Sequence, residues 1–140
     1  MAAERYRERG GFFVDARMKH GLEELPFQEV SAPPEVVLFL RQHIGPVGKP
    51  LVREGHRVRA GQKVADSDDP LGVPVHSPVS GTVVGLRELP HPMSGRPEPA
   101  LLIRTEDEST PTPPDEQDPD KLPPEEILTR VREAGVVGMG

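Results

Sequence analysis

The residues whose types could carry chemistry are five histidines, a loop with three aspartates, the Ser80-Gly81 pair and a closing Gly-Met-Gly. His20, His43, His56, His76 and His91 are dispersed, with no His-Glu-x-x-His or other short spacing that would gather metal ligands on one face. His76 ends a strand before Ser77-Pro78, where it could shuttle a proton or contact another domain, or simply hydrogen-bond its own turn. His43, close to Gly45, has the same two readings. Ser80-Gly81 lacks the Gly-x-Ser-x-Gly frame that lifts a nucleophilic serine out of a sheet, and reads as a turn. Asp66, Asp68 and Asp69 could cup a divalent cation but lack the ligand spacing of a dedicated calcium loop, so a solvated loop is the plainer reading. Gly138-Met139-Gly140 follows Val136-Val137 as a phosphate-cradling glycine loop follows its strand. Gly138 and Gly140 therefore read as the start of an incomplete cofactor-binding loop, against the alternative of a ragged end. No catalytic residue and no metal ligand emerges.

Composition narrows the classes further. Without a single cysteine the chain can make no disulfide, thiolate nucleophile or cysteine-ligated iron–sulfur cluster. Hydrophobic residues are 34% and aromatics 4%, so the core must be built from Val, Leu and Ile. Fourteen glycines and eighteen prolines demand many turns and exclude long helical bundles. The longest apolar run, Val36-Val37-Leu38-Phe39-Leu40, is far short of the roughly 20 residues that cross a bilayer. The first eleven residues mix Glu with Arg and hold no apolar signal-peptide stretch, so a soluble cytoplasmic protein without direct membrane insertion is expected. The net charge of −6 is local: nine acidic residues, one lysine and six prolines fall between Glu106 and Glu126. Such a stretch buries too little apolar area to offset its ordering entropy and reads as a linker. No basic stripe interleaved with aromatics supports nucleic-acid binding.

Four parts follow. Residues 1–34 form an arm whose Arg5, Arg7 and Arg9 could meet acidic phosphate or lipid, or belong to a frayed terminus. Residues 35–105 carry short strands, expected at 36–40, 51–53, 58–60, 64–66, 73–76, 82–86 and 100–104, with glycine corners between them and a turn-rich hairpin tip over 90–97. Val58, Val64, Val73, Val75, Val83, Leu101 and Ile103 are the expected core, while Arg57, Arg59, Lys63, Thr82 and Arg104 face water. Pro74 inside a strand calls for an edge or a bulge. The pattern is mainly β, a sandwich or barrel. Residues 106–122 are the acidic linker. Over 123–140, Pro123-Pro124-Glu125-Glu126 opens a helix whose Ile127, Leu128, Val131 and Ala134 make one apolar stripe, with Gly135 as its stop. A helix this short is marginal alone and needs a partner surface.

Read in order, several pieces carry a resemblance. Gly10-Gly11, Gln42-His43-Ile44-Gly45, the Val52…Gly55…Val58…Gly61-Gln62 spacing, Val75-His76-Ser77-Pro78…Ser80-Gly81-Thr82-Val83 and Pro90-His91-Pro92…Ser94-Gly95-Arg96 resemble the N-terminal region of the RnfC family of electron-transport complex subunits. The closing Arg132-Glu133-Ala134-Gly135-Val136-Val137-Gly138-Met139-Gly140 is similar to the family's approach to its flavin- and nicotinamide-binding domain. One departure is clear: Gly10-Gly11 precede Phe12-Phe13-Val14, where the family often has Ile-His-Pro.

The resemblance implies that residues 35–105 are a barrel-sandwich hybrid like biotinyl and lipoyl carrier domains. It implies a full-length protein that adds a Rossmann-like domain for FMN and NADH and a cysteine-rich module for two 4Fe-4S clusters. None of these cofactors is expected in this chain, whose sequence stops short of those parts. Implied partners are those further domains and the other members of an NADH/ferredoxin electron-transport complex, on the cytoplasmic side and peripheral to the inner membrane through the complex. The expected role is non-catalytic docking and assembly, through the helix stripe with Ile127 and Val131 and through His76, Ser77 and Gly95 at strand ends and hairpin tips. The alternatives are a carrier or a stand-alone interaction domain. A carrier presents one lysine on an exposed hairpin, and the hairpin over 66–72 has none; Lys63, in the strand before it, reads as a solvated residue.

Overall fold

The computed structural model describes residues 25–28, 31–106 and 117–138. The chain forms two compact units, Met1–Ser31 and Ala32–Gly140. In the first, residues 25–28 have no regular structure and expose Leu25 and Phe27. The arm's Arg5, Arg7, Arg9 and Gly10-Gly11 lie outside the described residues.

The second unit is built from two antiparallel sheets. Strands β1 (Glu35–Phe39), β2 (Lys49–Pro50), β3 (Arg57–Val58), β4 (Lys63–Asp66), β5 (Val75–His76), β6 (Gly81–Pro90) and β7 (Pro97–Thr105) are followed by one helix, α1 (Pro124–Glu133). One sheet runs in the order β1-β7-β6-β3, the other β2-β4-β5. The architecture is mainly β with a short C-terminal helix, as the sequence predicts.

The β6–β7 hairpin is the spine. It pairs residue by residue from Gly81↔Thr105 to Pro90↔Pro97. Opposed residues of antiparallel strands share a face, so Val83↔Ile103 continues across β7 to Val36, and Leu101 meets Leu38. Val83, Leu101 and Ile103 are almost wholly buried, and Val36 and Leu38 pack against them. A register shift between Val83 and Gly85 bends β6. Val58, Val64, Ala65 and Val75 come from β3 and the second sheet to close one core with Leu40 and Val79. The second sheet joins the turns directly: Gly61 N–H donates to the Ser77 carbonyl and Ser77 N–H to the Gln62 carbonyl, at 2.8 and 2.9 Å.

Several expectations need correction. Residues 51–53 are not a strand. The pairing residues are Lys49 and Pro50, and the chain then bends toward the turn at Gly55, leaving Leu51 exposed with Val52 packed on the core. Val73 is half-buried rather than core, because pairing begins only at Val75, after Pro74. β5 is indeed an edge strand, and the register opposite it shifts between Lys63 and Ala65. Lys63 and Thr82 are half-buried, and both hydrogen-bond acidic side chains. Residues 107–116 of the expected linker lie outside the described residues; its last part holds a 3-10 turn, Pro119–Lys121, capped by the Asp118 carboxylate at 3.1 Å.

The hairpin core sets a direct test. Leu101→Ala removes a side chain left 1% exposed and is expected to cost about 3 kcal/mol, whereas Val37→Thr on the outer face costs under about 0.5 kcal/mol. Urea unfolding of the two variants checks this, and equal losses would place the core elsewhere.

Candidate functional site

α1 begins as its sequence dictates. Pro124 stands at the first helical position, Glu125 and Glu126 sit in the positive first turn, and Arg130 and Arg132 in the negative last one. The helix ends in a Schellman turn: Val136 N–H donates to the Val131 carbonyl and Gly135 N–H to the Arg132 carbonyl. Gly135 takes φ +72°, and a Cβ there would stand 2.7 Å from the Pro74 carbonyl, so only glycine lets the helix end lie against β5.

That contact is flanked by charge. Lys63 Nζ donates to Glu133 and, at 3.0 Å, to Asp66. Arg132 donates to Glu133 at 2.6 Å, to Asp66 at 3.4 Å and to the Ser67 carbonyl at 2.9 Å. Glu133, then Asp66, hold the Lys63 ammonium above the usual lysine range against the opposing effect of burial. Lys63 in turn holds the Glu133 carboxyl low. Burial pushes the Asp66 carboxyl up, but Lys63, the Ser67 N–H and Arg132 outweigh it and leave it below its ordinary value. The β4–β5 hairpin is further laced by Asp69 N–H to Ser67 Oγ and Leu71 N–H to Asp69 Oδ1, at 3.2 and 2.8 Å.

No residue of α1 is buried. Ile127, Leu128 and Val131 are 37%, 70% and 45% exposed, and Val136 and Val137 continue the apolar strip beyond the helix. The described residues thus leave the stripe unburied.

A second charged junction ties down the β6–β7 tip. Arg41 grips the buried Glu98 carboxylate with two donors, Nε at 2.9 Å, and Ser94 Oγ adds a third at 3.0 Å. Arg41 first, then Ser94, draw the Glu98 carboxyl down to about 2 although burial opposes them. The Phe39 and His91 rings meet edge to face with centroids 4.8 Å apart.

The residues singled out from sequence fall in different places. His76 is half-buried on β5, its imidazole beside Gly135. Ser77 is turned inward, its Oγ donating to the Val79 carbonyl at 2.6 Å. Gly95 is at the exposed hairpin tip with φ +65°. Ile127 and Val131 share the open helix face, and Gly138 follows it in the open; Gly140 lies outside the described residues. His76 and the helix end are brought together; Gly95 belongs to the separate β6–β7 tip. His43 Nδ1 accepts the Gly45 N–H at 2.8 Å, the self-turn arrangement. Ser80 Oγ accepts the Ala60 N–H. Sequence reasoning missed the Lys63–Asp66–Arg132–Glu133 cluster, because nothing in linear spacing pairs residue 63 with 133. Glu98, between two prolines in a strand, carried a readable signal: it lies on the same strand face as Ala100.

The profile of the RnfC barrel sandwich hybrid domain matches residues 8–108. This chain belongs to the RnfC barrel-sandwich family. It is 37% identical over 136 residues to the C subunit of the ion-translocating oxidoreductase complex of Rhodobacter capsulatus, covering 94% of this chain and 26% of that protein. It is 34% identical over 134 residues to the C subunit of the proton-translocating ferredoxin:NAD(+) oxidoreductase complex of Clostridium ljungdahlii, covering 94% and 29%. The C subunit of the ion-translocating oxidoreductase complex of Vibrio cholerae is 36% identical over 129 residues, covering 87% and 16%. The chain thus spans well under a third of the length of these relatives. In this RnfC-type barrel, the hairpin that would carry a modified lysine in a carrier domain has none, and Lys63 is engaged by Asp66 and Glu133.

Glu98 gives a pH test. Its folded pKa lies below its unfolded value near 4.5, so its contribution to stability is complete above that pH and disappears as pH falls toward 2. The stability difference between the unmodified chain and Glu98→Gln is therefore expected to be constant above about pH 5 and to shrink between pH 4.5 and 2. Urea midpoints at pH 7, 4 and 2.5 measure it; a pH-independent gap would refute the Arg41–Glu98 account.

Proposed function

We propose that this chain serves as the non-catalytic docking domain of an RnfC-type protein in a membrane-associated, ion-translocating NADH/ferredoxin oxidoreductase complex. The observation that carries this reading is an apolar helix face, Ile127, Leu128 and Val131, left open on a helix whose end is fixed to a rigid barrel. Family membership supports the setting, and the relatives' names supply the complex. In this reading FMN, NADH and the 4Fe-4S clusters belong to other parts of the assembly. The chain has no cysteine to ligate a cluster. The domain sits on the cytoplasmic side, held at the membrane by the complex, and α1 packs against a neighbouring subunit of that complex. Burying the stripe there removes the apolar surface that the barrel leaves uncovered.

A polar substitution on the stripe separates docking from folding. Val131→Asp together with Ile127→Asp, introduced in the native host, is expected to cut copurification of this chain with its complex at least tenfold. The melting midpoint of the purified chain should move by less than about 2 °C, because both positions are exposed. Copurification at the unmodified level would overturn the docking role.

A further inference from the structure

The end of α1 is joined to the barrel chiefly by charge, and the four charges involved close a ring. Each cation meets both carboxylates: Lys63 contacts Asp66 and Glu133, and Arg132 contacts Asp66 and Glu133. Two of these groups come from β4 and two from the last turn of α1, so the ring spans the junction and has no net charge. All four side chains remain 27–42% exposed, open to dissolved ions. Two further attachments among the described residues are directional, not adhesive: Arg132 to the Ser67 carbonyl, and Gly135 seated on Pro74 and beside His76. No apolar side chain of α1 is buried at the joint.

A joint made by apolar packing would consume the stripe. An ionic joint leaves the stripe open while fixing the helix axis, because each carboxylate is shared by two cations at set positions. It is also reversible in a way that a packed joint is not. Ion pairs this exposed are screened by salt, the Debye length falling from about 10 Å at 0.1 M to about 3 Å at 1 M. Apolar packing is not weakened by salt in this way.

We infer that Lys63, Asp66, Arg132 and Glu133 form an ionic latch that sets the direction in which α1 presents its apolar face, and that dissolved salt or a competing charged surface opens it. The latch is a property of this chain alone, so it stands or falls independently of the docking role proposed above.

The absence of cysteine makes the test clean. Nitroxide labels on Glu125→Cys at the start of α1 and Arg59→Cys on the barrel, both exposed, report the helix direction as a distance distribution by pulsed electron resonance. A single narrow distribution is expected at 0.1 M NaCl, broadening at least twofold at 1 M NaCl. In the labelled chain Lys63→Met and Glu133→Gln each broaden it at 0.1 M, and the double variant broadens it no more than the stronger single one, since both act through one ring. Amide exchange in β6 and β7 is read alongside and should stay within twofold throughout. A distribution unmoved by salt and by both substitutions would overturn the latch. So would additive effects of the two substitutions, or loosening of β6 and β7 in step with α1, which would make the ring part of the barrel's own stability.

Discussion

The structure depends on a long antiparallel hairpin whose inward apolar side chains must find apolar neighbours. β6 and β7 pair over their whole length, and their inward residues Val83, Leu101 and Ile103 supply the surface on which everything else is laid. β1 extends that surface through Val36 and Leu38, and Val58, Val64, Ala65 and Val75 cover it from the other side. In a chain with so few aromatics, this pairing brings Val, Leu and Ile together to exclude water. The bend between Val83 and Gly85 lets the sheet curl around its own inner face.

Charge divides the remaining work. Where the barrel is finished by a polar contact, the contact crosses between segments distant in sequence. Arg41 binds Glu98 in one such contact, and Lys63 and Asp66 bind Arg132 and Glu133 in the other. The first anchors the hairpin tip to the chain leaving β1. The second holds a helix that ten residues of intrinsic propensity would leave marginal in water. The second junction buries no apolar side chain of α1, which is why the helix stripe remains available.

Much of this was legible because it is local. Short apolar segments rich in Val, Leu and Ile marked β1, β4, β6 and β7, glycines at 55 and 61, both found at positive φ, marked the corners, and Pro123-Pro124-Glu125-Glu126 with Gly135 marked both ends of α1. The misreadings have physical causes. Residues 51–53 have strand composition, yet Lys49 and Pro50 take the pairing positions opposite Asp66 and Ala65. Lys63 looked like a solvated strand residue because its partner Glu133 is seventy residues away, and nothing local in the sequence says where the helix lands. Ser77 stood at a strand end, but its hydroxyl is spent within its own turn.

The lateral margins of the two sheets have a consequence of their own. β2, β3 and β5 each pair over only two residues, and the longest border strand, β1, starts at Glu35 directly after Pro33-Pro34. Brief or proline-led borders offer a foreign strand little unpaired backbone to extend. β5 is additionally obstructed by Gly135 resting on Pro74. The fold therefore carries its own protection against growing into fibrils, and keeps it even while an oily helix stands open to solvent.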